Sequence, residues 1–194
     1  LIDGFGTLGG RSRNGWGSLA LAVAGQAMPA LRRDDALLAS LARPLADCLR
    51  FDWPHAIGTD DKGLLIWQTR PHQDWRAAMV ALARAKIAFR TRLRFERNTK
   101  TNKVFEGRHV LAYPVTNHPV GALGNQARLA SQLRLKVVRE PGGYVGRIFH
   151  LPCAFPAPLR DALRRERPEA LGREPDIWRT VHAVLDGFDG LARL

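Results

Sequence analysis

Cysteine is nearly missing from these 194 residues: there are two, Cys48 and Cys153. They stand far apart, without metal-ligand partners at useful spacing. That excludes a disulfide scaffold and a zinc module, and it points to a reducing, cytoplasmic compartment with no metal and no cofactor. No stretch approaches the ~18 apolar residues of a membrane span, so no membrane partner is expected. The run Leu19-Ala20-Leu21-Ala22-Val23 behind Arg11 and Arg13 imitates a secretory leader, but the run is short and its arginines are interleaved with glycines. Neither G-x-x-x-x-G-K-[ST] nor G-x-G-x-x-G occurs, which excludes a nucleotide-hydrolase phosphate loop and a dinucleotide fold. Ser-His-Asp and H-E-x-x-H spacings are missing as well.

Acid is also scarce. Asp and Glu number 18 against 30 Lys and Arg, a net charge of +12. Such an excess predicts a polyanionic partner, most simply nucleic acid. Only five of the cations are lysines, a bias that a GC-rich genome also produces. Hydrophobic residues make up 45%, enough for a core and too many for wholesale disorder. The length suits one domain, or one and a fraction.

The stretch Gly9-Gly10-Arg11-Ser12-Arg13-Asn14-Gly15-Trp16-Gly17-Ser18 concentrates what those absences leave. No packed helix or strand needs that mixture. Backbone amides of Gly9, Gly10 and Gly15 suit a phosphate, Arg11 and Arg13 supply planar forks for it, and Trp16 supplies a stacking face. The plain alternative is a solvated turn. A buried strand is expected at 18–24, and a helix at 31–49 with a kink or second start at Pro44. A loop is expected at 51–63, then a buried strand at 64–67.

The longest helix is predicted over 73–97, with Trp75, Met79, Leu82, Phe89 and Leu93 on one stripe. Lys86 interrupts that stripe, either snorkelling to the edge or serving as a desolvated functional lysine. Between residues 84 and 108 lie nine cations and two acids. Arg94, Arg97, Lys100, Lys103 and Arg108 are therefore candidates to guide a nucleic-acid strand, with a mobile loop at 98–103. The alternation of Leu133, Leu135 and Val137 with Arg134, Lys136 and Val138, then Glu140-Pro141-Gly142-Gly143, predicts a hairpin returning through 144–152. Arg128 and Lys136 are placed near the floor of a basic trough. Helices close the chain at 158–167 and 175–191.

Metal-independent RNA cleavage needs a histidine general base and a cation. His109 beside Arg108, and His118 beside Asn117, are the weak candidates for such a catalytic role. Asp60-Asp61 before Lys62-Gly63 reads more simply as a capped turn than as a metal pair.

Two stretches carry a family likeness. Gly9 to Leu19 resembles the glycine-rich loop of the RAMP (repeat-associated mysterious protein) superfamily, most closely the first RAMP subunit of the type III-B (Cmr) CRISPR effector. The loop there typically reads Gly-(Gly/Ala)-Arg-Ser-Arg-Arg-Gly-Phe-Gly-Ser, so Asn14 replaces an arginine and Trp16 a phenylalanine. Arg128-Leu129-Ala130-Ser131-Gln132 through Lys136, followed by a hairpin, is similar to that subunit's C-terminal signature.

The likeness spans 9–151 and implies an α+β protein with a ferredoxin-like (RRM-like) fold and helical insertions. Residues 1–30 would be the loop and closing strand of an upstream RAMP domain, and 31–194 a C-terminal RAMP domain. It also implies a non-catalytic subunit that holds guide RNA and target RNA beside other type III subunits, with a separate upstream half-protein a further partner. A CRISPR endoribonuclease, or an interaction subunit whose charge meets an acidic neighbour, are the alternatives.

Overall fold

The computed structural model of the chain describes residues 2–9, 12–24, 26–27, 36–93, 104–116, 118–124 and 126–194. It opens with a short helix, α1 (Ile2–Phe5), and the glycine-rich loop, which carries β1 (Asn14–Gly15). The chain continues through β2 (Ala22–Val23), β3 (Gln26–Ala27), α2 (Ala36–Ser40), β4 (Ala42–Pro44), α3 (Leu45–Cys48), β5 (Ile57–Asp60) and β6 (Gly63–Leu64). The second part is β7 (Ile66–Thr69), α4 (Trp75–Arg92), α5 (Gly107–Leu111), β8 (Leu133–Glu140), β9 (Gly143–His150), α6 (Ala157–Glu166), α7 (Glu174–Asp186) and β10 (Leu191–Arg193).

The protein is α+β. Its main sheet has the order β1-β8-β9-β7-β10. β1 runs parallel to β8, and every other neighbouring pair is antiparallel. Following the chain, strand β7 leads to helix α4, then to the hairpin β8–β9, helix α7 and strand β10. The two helices pack on each other and on one face of the sheet. A smaller sheet, β4-β5-β6, stands beside the other face.

Periodicity explains the helix face. Asp74 caps α4 by accepting the Ala77 N–H at 2.9 Å, and Arg90 and Arg92 complement the dipole in the last turn. Ala78, Leu82, Ala85 and Phe89 are buried at helical spacing and meet Trp67, Leu135 and Ile148 of the sheet. Trp178, Val181 and Leu185 of α7 complete that core. The expected stripe holds for Leu82, Phe89 and Leu93, whereas Trp75 is exposed at the start of the helix.

The hairpin lies where its alternation puts it, with Glu140 paired to Gly143. The sheet's second face, however, is covered as well. Ile66 and Phe149 there pack with Leu38 and Ile57. Gln68, Arg147 and Lys136 therefore form a cross-strand row that is enclosed rather than solvated, with Lys136 0% and Arg147 1% exposed.

Three expectations for the first third are corrected. The run 18–24 is not a buried strand: Leu19 and Leu21 are exposed, because Asn14–Gly15 and Ser18 already occupy the edge of β8. The described part of 31–49 is α2, β4 and α3 rather than one helix. Ala42 to Pro44 pair with β5, and Pro44 starts α3 with φ −52°. The loop at 51–63 contains β5.

Gly146 marks the closest approach of helix and sheet. A Cβ there would lie 2.6 Å from Leu82 Cγ. Gly146→Ala should lower stability by ~1–3 kcal/mol, read from the urea midpoint. Gly121→Ala, where nothing lies within 4 Å, should stay within about 0.5 kcal/mol.

Candidate nucleic-acid interface

The glycine-rich loop is a hairpin pinned at its mouth. Leu8 N–H donates to Gly17 O at 2.8 Å, and Leu19 N–H donates to Gly6 O at 3.1 Å. Gly17 has φ +68°, and a Cβ there would strike Leu8 O at 1.9 Å, so only glycine closes this turn. The loop joins the sheet as its edge. Leu135 N–H donates to Arg13 O, and Ser18 Oγ accepts from Val137 N–H while donating to Gly15 O.

Lys136 fastens the stem. Its Nζ donates to Gly6 O at 2.7 Å and to Leu19 O at 2.6 Å, one carbonyl on each side of the hairpin mouth. The placement of Lys136 on the floor of an RNA trough is thereby corrected: the ammonium is buried and committed to the loop. Gly15 is corrected too. It is buried beside Met79 and Leu82, and its amide donates to Ser12 O, so it does not cradle phosphate. Gly9 stays exposed at the loop's tip.

The remaining cations form a connected series. Arg13 is exposed and close enough to the half-buried Arg134 that, after burial, its charge lowers the Arg134 pKa. Next to Arg13, Asn14 Oδ1 accepts from Lys86 Nζ at 2.5 Å. Burial, then the charge of Arg90 one helical turn away, lowers the Lys86 pKa. Arg108 Nε donates to Arg90 O at 2.7 Å, and burial followed by Arg90 lowers its pKa as well. The series Arg134, Arg13, Lys86, Arg90 and Arg108 thus runs from the sheet edge along α4.

Trp16 is 49% exposed beside this series, with its ring edge-to-face on Trp75 at 6.0 Å. The guanidinium of Arg76 covers Trp75 at 4.9 Å. Arg128 is exposed beside Tyr113 and donates to its neighbour's carbonyl, Ala127 O. Gly10, Arg11, Arg94, Arg97, Lys100, Lys103 and Asn117 lie outside the described residues. Sequence reasoning missed Arg134 and Trp75. Only the pairing of β1 with β8 reveals the first, and only the loop's contact with α4 reveals the second.

Of the two candidate histidines, His109 is structural in placement. His109 is 0% exposed and stacks on Phe105 at 5.2 Å. Its Nδ1 accepts from Glu106 N–H at 2.9 Å, which assigns the proton to Nε2, and Nε2 donates to His118 O at 2.9 Å. Nδ1 is thus occupied in capping α5 and Nε2 in the bond to His118 O, and burial lowers the pKa. His118 is half-buried and supplies that carbonyl. Among the described residues, no cluster of His, Cys, Asp or Glu is placed to hold a metal. None of their helices is long and apolar enough to cross a membrane.

No protein-family model, curated protein or solved structure matches this chain.

A second charged group closes the other end of the sheet. Arg193 binds Asp60 through both Nη atoms, at 2.5 and 2.9 Å, and its Nε donates to Asp186 at 2.6 Å. Trp67 Nε1 and Lys62 Nζ also donate to Asp186. Asp60 accepts from Lys62 N–H at 3.0 Å, the expected capped turn. Behind this clamp His182 Nε2 meets His150 Nδ1 at 3.0 Å. A cleft of about 700 Å³ runs beside it, walled by Leu45, Pro175 and His182. The acids are already matched by cations here, so the group locks β10 and α7 to β5.

The clamp makes stability depend on pH. Burial holds the His182 pKa at about 4 against an ordinary 6.5, outweighing the pull of Asp60, and His150 shifts the same way. The unfolded chain takes up protons first. The contribution is therefore complete above pH 6.5 and is lost as pH falls from there through about 4, roughly 3 kcal/mol for His182. Burial raises the pKa of Asp60 and Asp186, but Arg193 at the first, and Trp67 followed by Arg193 at the second, lower both below 3.8 and extend the loss there. Urea midpoints should fall across this window, and His182→Gln should flatten it.

The tether is tested separately. Lys136→Met should lower stability by ~1–3 kcal/mol, because Leu19 O loses the ammonium and Gly6 O keeps only the Leu19 N–H, and should speed amide exchange at 6–19. Unchanged exchange would contradict the tether.

Proposed function

We propose that the chain is a non-catalytic RNA-binding subunit of a type III CRISPR ribonucleoprotein effector, with a ferredoxin-like RAMP fold carrying insertions. The observation that supports this best is the series of cations beside the glycine-rich loop. Arg134 neighbours Arg13, and Lys86 and Arg108 each neighbour Arg90, while Asp60 and Asp186 are held in the far clamp. A sugar–phosphate chain relieves that crowding and releases its own counterions.

Four further features favour the reading. The chain order β-α-β-β-α-β with sheet order β8-β9-β7-β10 has the pattern of the ferredoxin-like unit. Asn14 stands where the family loop carries arginine, and Lys86 brings a cation back to that spot. Trp16 with Trp75 offers a stacking platform next to the phosphates. Val80 and Ile87, both exposed on α4, suit burial against another subunit. The guide and target RNA, the cytoplasmic setting and the antiviral role follow from the family likeness. The rival endoribonuclease is disfavoured because His109 has no nitrogen left for a substrate.

A titration of single-stranded RNA across salt concentrations tests the proposal. With most of five cations on phosphates, log K should fall with log salt at a slope of about −3. Arg13→Ala and Lys86→Ala should each reduce the slope by about 0.7 while preserving the fold. A flat response, or site-specific cutting in EDTA, would remove the proposal.

A further inference from the structure

The segment between α3 and β5 serves neither the cation series nor the clamp. It carries Phe51, Trp53 and His55. Phe51 is 50% exposed and Trp53 59%, a large apolar surface to leave in water. The three rings form a cluster: Phe51 meets His55 at 4.8 Å and 72°, and Trp53 meets His55 at 5.2 Å and 54°. The segment is pinned at both ends. Ala154 N–H donates to Phe51 O at 2.7 Å, and Ile57 N–H donates to Leu41 O at 2.9 Å. His55 Nδ1 lies 3.2 Å from Trp53 O. Beneath the rings is a cavity of about 370 Å³, lined by Phe5, Leu41, Trp53, Pro54 and Phe149.

The sheet connects this cavity to the cations. Phe149 in its wall is the cross-strand partner of Arg134, and directly opposed residues share a face. Arg134 is the charge neighbour of Arg13. The aromatic cavity therefore lies one strand from the end of the cation series. Arg43 and Arg50, both exposed, flank the segment. The single acid inside it, Asp52, acts on the Cys153 thiol.

We propose that this cavity takes one unpaired nucleobase of a single-stranded RNA whose backbone lies along the cation series. The proposal rests on the RNA-binding function above. The apolar walls exclude phosphate, so the part of a polyanion that enters is its uncharged planar group. The volume sits at the low end of small-ligand pockets, roughly 300–1,000 Å³, and suits one ring system. Aromatic rings at the rim stack on any base, which makes the contact tolerant of sequence. A duplex keeps its bases stacked inside, so only a single strand or a splayed-out base qualifies.

The test uses the full chain and a single-stranded RNA oligomer carrying 2-aminopurine, with duplex RNA as the comparison. The wild-type protein should quench the probe. Trp53→Ala should weaken single-strand binding about tenfold, abolish the quench at one probe position, and leave the salt slope and duplex binding unchanged. Trp53→Phe should restore most of the affinity. A Trp53→Ala protein that binds the single strand like wild type would overturn the proposal. Equal losses on single strand and duplex, with a lowered melting temperature, would overturn it too. Both outcomes leave the RNA-binding function standing. A wild-type protein that binds neither RNA at any salt concentration removes that function as well.

Discussion

A buried ammonium organises the molecule. Lys136 sits inside the sheet, beside Arg147 in register on the next strand, where two like charges repel. It is kept there by carbonyls from both sides of the loop's mouth, while Arg147 is matched by Gln68 and Glu140. Removing the loop would leave the cation without its two carbonyl partners, and removing the cation would leave the mouth of the loop held by backbone bonds alone. Each therefore requires the other, and the glycine-rich loop is a fixed edge of the sheet rather than a loose flap.

That fixed edge decides where the free charge goes. Because Asn14 and Gly15 lie along β8, Arg13 faces Arg134, and Asn14 meets Lys86 on α4. At the opposite end the acids Asp60 and Asp186 are consumed by Arg193 and Lys62. A matched clamp thus closes one end of the fold, and a series of neighbouring cations follows the flank of α4 at the other. The two cavities described here are walled by other residues, and the series follows a helix flank.

Local pattern was sufficient where elements are long. The stripe of α4, the alternation of β8 and β9 and the start of α7 at Pro175 were legible because each repeats over several turns or strand pairs. The failures share one cause. Alternation in β8 implies one wet face, and only the covering of that face by distant segments turns Lys136 from a surface cation into a tether. Gly15 looked available for phosphate because burial against Met79 is a tertiary fact. His109 looked reactive because its bonding partners, Glu106 and the carbonyl of His118, define a cap only once the chain has turned. Arg193 and Asp60 are too far apart in sequence for their pairing to be read.

The most direct measurement is photo-cross-linking of 4-thiouridine-substituted single-stranded RNA, with the adducts mapped by mass spectrometry. Adducts should concentrate on peptides containing Trp16 and on those of α4, Trp75 to Arg92. Adducts confined to α7 and β10, where acids and cations are already matched, or none at all, would contradict the account.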